Sequence, residues 1–219
     1  MKIPVSPRLL ACCNFIAPGD RVADIGCDHG YLGIYLLTKG IAKSVIAADI
    51  NEGPLQCAQR NSEKFGVGDK MSFCLSDGVK SIPKDFDILV CAGMGADTMI
   101  SILSAAPWLK SSQYKLILQC QSRTPILRQF LHENGWHIYQ EQIVRDGKFL
   151  YTVMEILWQP GAPLTPGQCY FSPALIQNEH YLAYYKWVIR GLENIVLNQK
   201  EQADPFAVQA LEELRKKEL

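Results

Sequence analysis

The stretch VADIGCDHGYLG, Val22 to Gly33, concentrates residues whose types and spacing could do chemistry. Asp24, Gly26, Asp28 and Gly30 alternate with single residues directly after an apolar run. The run predicts a buried strand, and the glycines predict a turn whose backbone N–H groups a ligand can approach closely. A dinucleotide loop has a glycine where Asp28 stands, and a carboxylate there repels a pyrophosphate at short range. A ligand with a sulfonium, an ammonium and no phosphate suits the same loop better. Its cations attract Asp28, while Gly26 and Gly30 leave the backbone open. This chemistry points to S-adenosylmethionine; a plain turn is the competing account of the same residues.

Two more acids stand at matching places. Asp49 ends the next apolar run and can accept hydrogen bonds from ribose hydroxyls, as the acid after the second strand does in dinucleotide folds. Ser76-Asp77-Gly78 follows a third run, where Asp77 can accept from an adenine amino group and Gly78 leaves room for the ring. Singly, each is also an ordinary cap or turn residue. Jointly they mark the carboxyl ends of successive strands, where open α/β sheets bind ligands.

The elements that must position these residues follow from periodicity. Residues 21–26, 44–50, 71–76, 87–93 and 115–120 read as short apolar strands of a parallel sheet covered on both faces. Helical patterns at 31–39, 53–65, 95–109 and 124–134 alternate with them, which is the order of a doubly wound α/β sheet. Residues 136–158 then read as two strands around Arg145-Asp146-Gly147-Lys148, and Asp-Gly is a strong hairpin signal. An antiparallel pair added to such a sheet distinguishes a Rossmann-like class I methyltransferase from half of a dehydrogenase. A proline- and glycine-rich linker, 159–168, leads to a helical tail. One helix is expected to start at Ser172-Pro173, with a seam of Tyr181, Tyr185, Val188, Leu192, Ile195 and Gln199. A second is expected from Asp204-Pro205 through Phe206, Leu211 and Leu214 to the end, closing a coiled-coil-like helical hairpin. The expected division is a methyltransferase domain over 1–160 and a helical hairpin over 170–219. The tail reads equally as packing and as a surface for substrate or partner.

Composition bounds the rest. With 48% hydrophobic residues in 219, the chain can bury a proper core, and its formal net charge of zero gives no global pull toward nucleic acid. A local basic patch is compatible with that balance. The eight cysteines form no C-x-x-C pair and read as small buried hydrophobes, so neither disulfides nor a metal is expected. No apolar run approaches a membrane span, and the first residues lack a signal-peptide core, so a cytoplasmic monomer without membrane contact is expected.

SPRLLA, VADIGCDHGYLGIYL, NEGPLQCAQRN, LSDG, CAGMGADTMISIL and LILQCQ with LRQFLHENGW resemble, in that order, the bacterial tRNA (adenine-22-N1)-methyltransferase family. The likeness runs from about Ser6 to Trp158, and the helical tail is similar to that family's C-terminal domain. The family's Ser-Asp-His-Ala-Tyr-Leu-Pro is here Cys27-Asp28-His29-Gly30-Tyr31-Leu32-Gly33. Its Gly-Met-Gly-Gly is Gly93-Met94-Gly95-Ala96, and its Leu-Gln-Pro-Asn is Leu118-Gln119-Cys120-Gln121, a change at the base pocket. The resemblance implies methyl transfer to N1 of an adenine in tRNA. The cofactor set it implies is Asp24, Gly26, Cys27, His29, Tyr31, Asp49, Ile50, Asp77, Gly78, Ala92, Gly93 and Met94. Asp28 is the catalytic candidate, and Arg8, Gln119, Gln121 and Arg123 are the substrate candidates, with Arg128 a further basic residue near the rim. His29 reads equally as a cap and Tyr31 as core. A methyltransferase for another RNA position or a small metabolite, and a non-catalytic relative binding a partner through the tail, remain alternatives.

Overall fold

The computed structural model of the chain describes residues 2–159, 161–199 and 204–216. Helix α1 (Pro7–Cys12) precedes an alternation that lacks a helix only between its third and fourth strands: β1 (Arg21–Ile25), α2 (Tyr31–Thr38), β2 (Ser44–Asp49), α3 (Glu52–Lys64), β3 (Met71–Leu75), β4 (Ile88–Met94), α4 (Ala96–Ser104), β5 (Lys115–Cys120) and α5 (Thr124–Glu133). The hairpin β6 (Trp136–Asp146) and β7 (Phe149–Trp158) follows, then α6 (Pro166–Tyr170), α7 (Tyr181–Gln199) and α8 (Pro205–Lys216). The sheet order is β3-β2-β1-β4-β5-β7-β6, parallel through β5 and antiparallel beyond it. The chain reverses its direction of travel across the sheet between β1 and β4. That switch point opens a crevice beyond the carboxyl ends of the strands.

The apolar runs of β1, β2 and β5 are buried along nearly their whole length because helices cover both faces. One core packs Phe86, Leu89, Met99, Leu116 and Leu127 on one face, and the other packs Ile34, Leu36, Val45, Val90 and Ile117 on the opposite one. A third joins Ile143 of β6 to Leu175, Tyr184, Val188, Leu192 and Leu211 of the helical tail. The tail is therefore packed directly on the sheet's added hairpin.

Several boundaries differ from the sequence reading. The helix expected over 95–109 ends at Ser104, and Pro107–Leu109 forms a separate 3₁₀ turn. The hairpin turn is Gly147-Lys148, with Arg145 and Asp146 still paired in the strand. Within the linker, Thr165 and Gln168 exchange side-chain-to-backbone hydrogen bonds as a capping box and start α6; Pro160 lies outside the described residues. The single helix expected from Ser172 is broken. Ser172 caps only a 3₁₀ turn, Pro173–Gln177, and Asn178 then binds the His180 N–H and the Ile143 carbonyl with its side chain. That local bonding competes with helix continuation, so α7 starts at Tyr181. Its buried seam is Tyr184, Val188 and Leu192, whereas Tyr181 and Tyr185 are half-buried and Ile195 is exposed. The expected seam position Gln199 has its side chain, and the helix end at 217–219 lies wholly, outside the described residues. Tyr185 donates its hydroxyl to the Leu214 carbonyl at 2.7 Å, which fixes α7 and α8 antiparallel.

Candidate cofactor cleft and substrate rim

The carboxyl end of β1 continues its pairing into the turn, where the Gly26 and Cys27 N–H groups both donate to the Ala48 carbonyl at 2.8 and 3.0 Å. Gly26 has φ +72°, a left-handed conformation that favours glycine, and a Cβ built there would also push the flexible end of Met94 aside. Gly30, at φ +71°, lies against Ala58 of α3 and starts α2. Asp28 is also left-handed, at φ +51°, a conformation that Asp tolerates better than most side chains. Its N–H donates to Asp49 Oδ2 at 3.2 Å, and Asp49 Oδ1 accepts from the Asn51 N–H at 2.9 Å. Asp49 thus ties the tip of the first turn to the end of β2. The Asp28 carboxylate itself is exposed, with His29 Nε2 3.7 Å from Oδ1.

Asp24 lies beneath this turn and is buried, and its Oδ2 has no hydrogen-bond partner. Burial, reinforced by the Asp49 charge, pushes its pKa up to about 7. A buried carboxylate oxygen without a donor suits a ligand that brings one, and an ammonium group brings up to three. Asp24 lines a cavity of about 200 Å³ together with Arg8, Asp28, His29, Tyr31 and Gly93. A second cavity, about 520 Å³, meets it at Gly26 and is lined by Asp49, Ile50, Asp77, Gly78 and Met94. Together they form one trough, with carboxylates at both ends and the exposed Ile50 and half-buried Met94 between them. The acids of this lining, Asp24, Asp28, Asp49 and Asp77, fit the cationic groups of a nucleoside, and Arg8 is the one guanidinium among its described residues, suited to a carboxylate.

The structure brings the expected cofactor residues to this trough, with differing accessibility. Ala92 and Gly93 line the smaller cavity, and Cys27 is nearly buried beside them. Asp77 stands exposed at the rim, ion-paired with Lys80. His29 Nδ1 lies 3.0 Å from Cys57 Sγ on α3, so its ring is held at the turn.

The expected substrate residues divide. Gln119 is fully buried: its Oε1 accepts from the Gly93 N–H at 3.1 Å and its Nε2 donates to the Cys120 carbonyl. It holds the Gly93 turn from inside and offers nothing to an external ligand, contrary to the expected contact with substrate. Arg128 is likewise removed from the rim, fully buried and ion-paired with Glu141 of β6. Arg8 reaches the cofactor trough while pairing with Asp146 at 3.2 Å. Gln121 and Arg123 are exposed, and Arg123 pairs with Asp97 at 2.6 Å. Both line a third cavity, about 590 Å³, between the start of α5, the tip of the β6–β7 hairpin and α7. Trp187, Phe149, Arg145 and Lys148 also line it. The aromatic and basic character of these four is visible in the sequence, but their convergence depends on how α7 packs on the hairpin.

A parallel sheet extended by an antiparallel pair, with acids at the ends of β1, β2 and β3 around a switch-point trough, is the class I methyltransferase fold. A family model described as a methyltransferase domain matches residues 5–154. The tRNA (adenine(22)-N(1))-methyltransferase of Bacillus subtilis is 31% identical over 154 residues, 70% of this chain and 65% of that one. Mycoplasma genitalium MG248 is 30% identical over 203 residues, covering 89% and 88%. The crystal structure of the B. subtilis M1A22 tRNA methyltransferase TrmK superposes with a TM-score of 0.81 at 27% identity, covering 98% of this chain and 96% of that one. M. capricolum TrmK, solved with S-adenosyl-homocysteine, matches with a TM-score of 0.79 at 26% identity over 97% and 95%. The chain belongs to the TrmK family of class I methyltransferases.

Proposed function

We propose that this protein methylates N1 of an adenine in tRNA, position 22 by its likeness to the B. subtilis enzyme, with S-adenosylmethionine as donor. The observation that carries the reading is the unpartnered Asp24 carboxylate oxygen beside Gly26 and Asp28, in one trough of a TrmK-family chain. When bound, the donor supplies an electrophilic methyl group on a sulfonium. Asp24 would hold its ammonium, Asp49 its ribose hydroxyls and Asp77 its adenine amino group, with Ile50 and Met94 on the ring faces.

Adenine N1 carries an in-plane lone pair, so no side chain has to remove a proton to create the nucleophile. The chain's work is to place the base and to exclude competing geometries, which suits a site of shape and charge. The methylated ring is cationic. The exposed Asp28 carboxylate faces that cavity and stabilises positive charge as it arrives. Gln119 fixes Gly93 opposite it, keeping the wall of the pocket in place. N1 is engaged in pairing or stacking within a folded RNA, so the base must be exposed or turned out to reach the trough. Residues 1–160 would carry cofactor and chemistry and 170–219 would support RNA binding. A tRNA substrate places the work in the cytoplasm; among the described residues no helix is long and apolar enough to cross a membrane.

The test is transfer of labelled methyl to bulk tRNA by the full chain, followed by nucleoside analysis. Label in 1-methyladenosine is expected. Label confined to another nucleoside overturns the target base, and absence of transfer overturns the activity.

A further inference from the structure

We infer that the cavity between α5, the β6–β7 hairpin and α7 is a docking site for an unpaired nucleobase of the RNA that neighbours the methylated one. The inference rests on the tRNA reading and adds a second contact site to it. Trp187 is 62% exposed and Phe149 54%, an uncommon arrangement for large aromatic rings across a single groove. Trp187 is backed by Tyr184, stacked at 5.6 Å between ring centroids and 27° between planes. Tyr184 is buried, so the pair is a rigid platform with one face open.

The charges at this groove are one-sided. Arg123, Arg145 and Lys148 line it, and among the described residues no acidic side chain does. Arg123 is paired with Asp97, but among the described residues neither Arg145 nor Lys148 is paired with a carboxylate, and Lys148 sits 5.2 Å from the Phe149 ring centroid. In a chain of zero net charge, this is a local concentration of positive potential around apolar rings. Stacking rings flanked by cations are what a single-stranded nucleic acid requires: a π-face for the base and counter-charge for its phosphates. A second copy of the chain fits less well, because a two-fold contact through this groove would set Arg145 and Lys148 against their own equivalents.

Position supplies the third argument. Gln121 lines the groove, donates its N–H to the Met94 carbonyl at 2.8 Å, and has its Nε2 3.4 Å from where a Gly93 Cβ would be. Gly93 and Met94 line the two cofactor cavities. The groove therefore begins where the trough ends, and a nucleotide strand entering the trough would lay its neighbour across Trp187.

The test uses the full chain and an unmodified tRNA transcript that the wild type methylates. Trp187→Ala should weaken transcript binding and raise KM for tRNA about tenfold or more, with cofactor affinity and melting temperature unchanged and Trp187→Phe restoring most of the loss. Arg145→Glu with Lys148→Glu should weaken binding and flatten its dependence on salt. Unchanged affinity and KM in Trp187→Ala, while the wild type methylates the transcript, overturns the groove and leaves the methyltransferase reading standing. A wild-type dimer in sedimentation that Trp187→Ala dissolves, with KM unchanged, reassigns the face to self-association. No binding or methylation of tRNA by the wild type removes the reading itself, and the groove with it.

Discussion

The carboxyl edge of β1 to β4 and the layer formed by α6, α7 and α8 are held by different kinds of contact. At the edge, each functional group is placed by its own strand end and the two or three residues after it. Gly26, Asp28 and Gly30 set one turn by backbone conformation, and Asp49 joins that turn to β2 through two backbone N–H groups. In the helical layer, placement depends on residues far apart in the chain. Ile143 packs with Leu175 and Tyr184, Asn178 reaches the Ile143 carbonyl, and the α5 and β6 elements that carry the layer are joined by Arg128, sealed against Glu141 with 1% of each side chain exposed. The difference teaches that the cofactor edge tolerates side-chain changes that alter chemistry alone. The helical layer, and the groove it helps to form, stand or fall with packing.

The largest expected effect breaks the support of the second region, the join between α5 and β6. Glu141→Gln leaves the Arg128 guanidinium buried without its counter-charge, which should cost about 3–5 kcal/mol of folding stability in urea titration. Replacing both partners, Arg128→Met with Glu141→Leu, should recover most of it, because a buried pair exchanged for apolar groups is often neutral. A Glu141→Gln protein as stable as the wild type would show that the pair is not what joins α5 to β6.

That contrast also explains what was legible in the sequence. The strands of the sheet, the hairpin and the acids at the strand ends follow from short apolar runs and turn residues, each a local signal. The burial of Gln119 and Arg128 is not legible there, because a polar side chain near a rim looks the same in sequence whether it faces water or a buried partner. For Gln119 the partner is the Gly93 N–H, 26 positions away, and for Arg128 it is Glu141 on another element. The break in the tail at Asn178 depends on a bond to Ile143 that no local pattern records. The Trp187 groove is illegible for the same reason: its walls come from α5, the hairpin and α7.

A somewhat smaller effect concerns Asp24 and sharpens the account of the first region. Its folded pKa of about 7 exceeds its ordinary value of 3.8, so between those pH values the folded chain keeps a proton that the unfolded chain has released. Stability should therefore fall as pH rises across that window and stay level above it, by up to about 4 kcal/mol. Asp24→Asn should abolish the slope and be the more stable protein at pH 8, while losing cofactor affinity. Parallel pH profiles for the two proteins would mean that Asp24 is not held protonated by its burial.

The smallest of the three effects tests Asp28, whose carboxylate stands where a dinucleotide loop has glycine. Its left-handed backbone makes the substitutions informative. Glycine adopts φ +51° without strain, and asparagine tolerates it, so neither Asp28→Gly nor Asp28→Asn should disturb the turn. The N–H that binds Asp49 Oδ2 is also kept in both. If the carboxylate stabilises the cation forming on the adenine ring, both variants should lose turnover by about a hundredfold, close to 2.7 kcal/mol, with cofactor affinity nearly unchanged. If it only accepts a hydrogen bond from the base, Asn should keep much of the rate and Gly little. If it serves only the turn, Gly and Asn should both be silent in rate, and Gly should be the more stable protein by up to about 1 kcal/mol, because glycine enters that region freely. Single-turnover rates at saturating cofactor, with melting temperatures for each variant, separate these outcomes. Full-rate transfer by Asp28→Gly would move the charge-stabilising role off this residue and leave the trough's acids with binding alone.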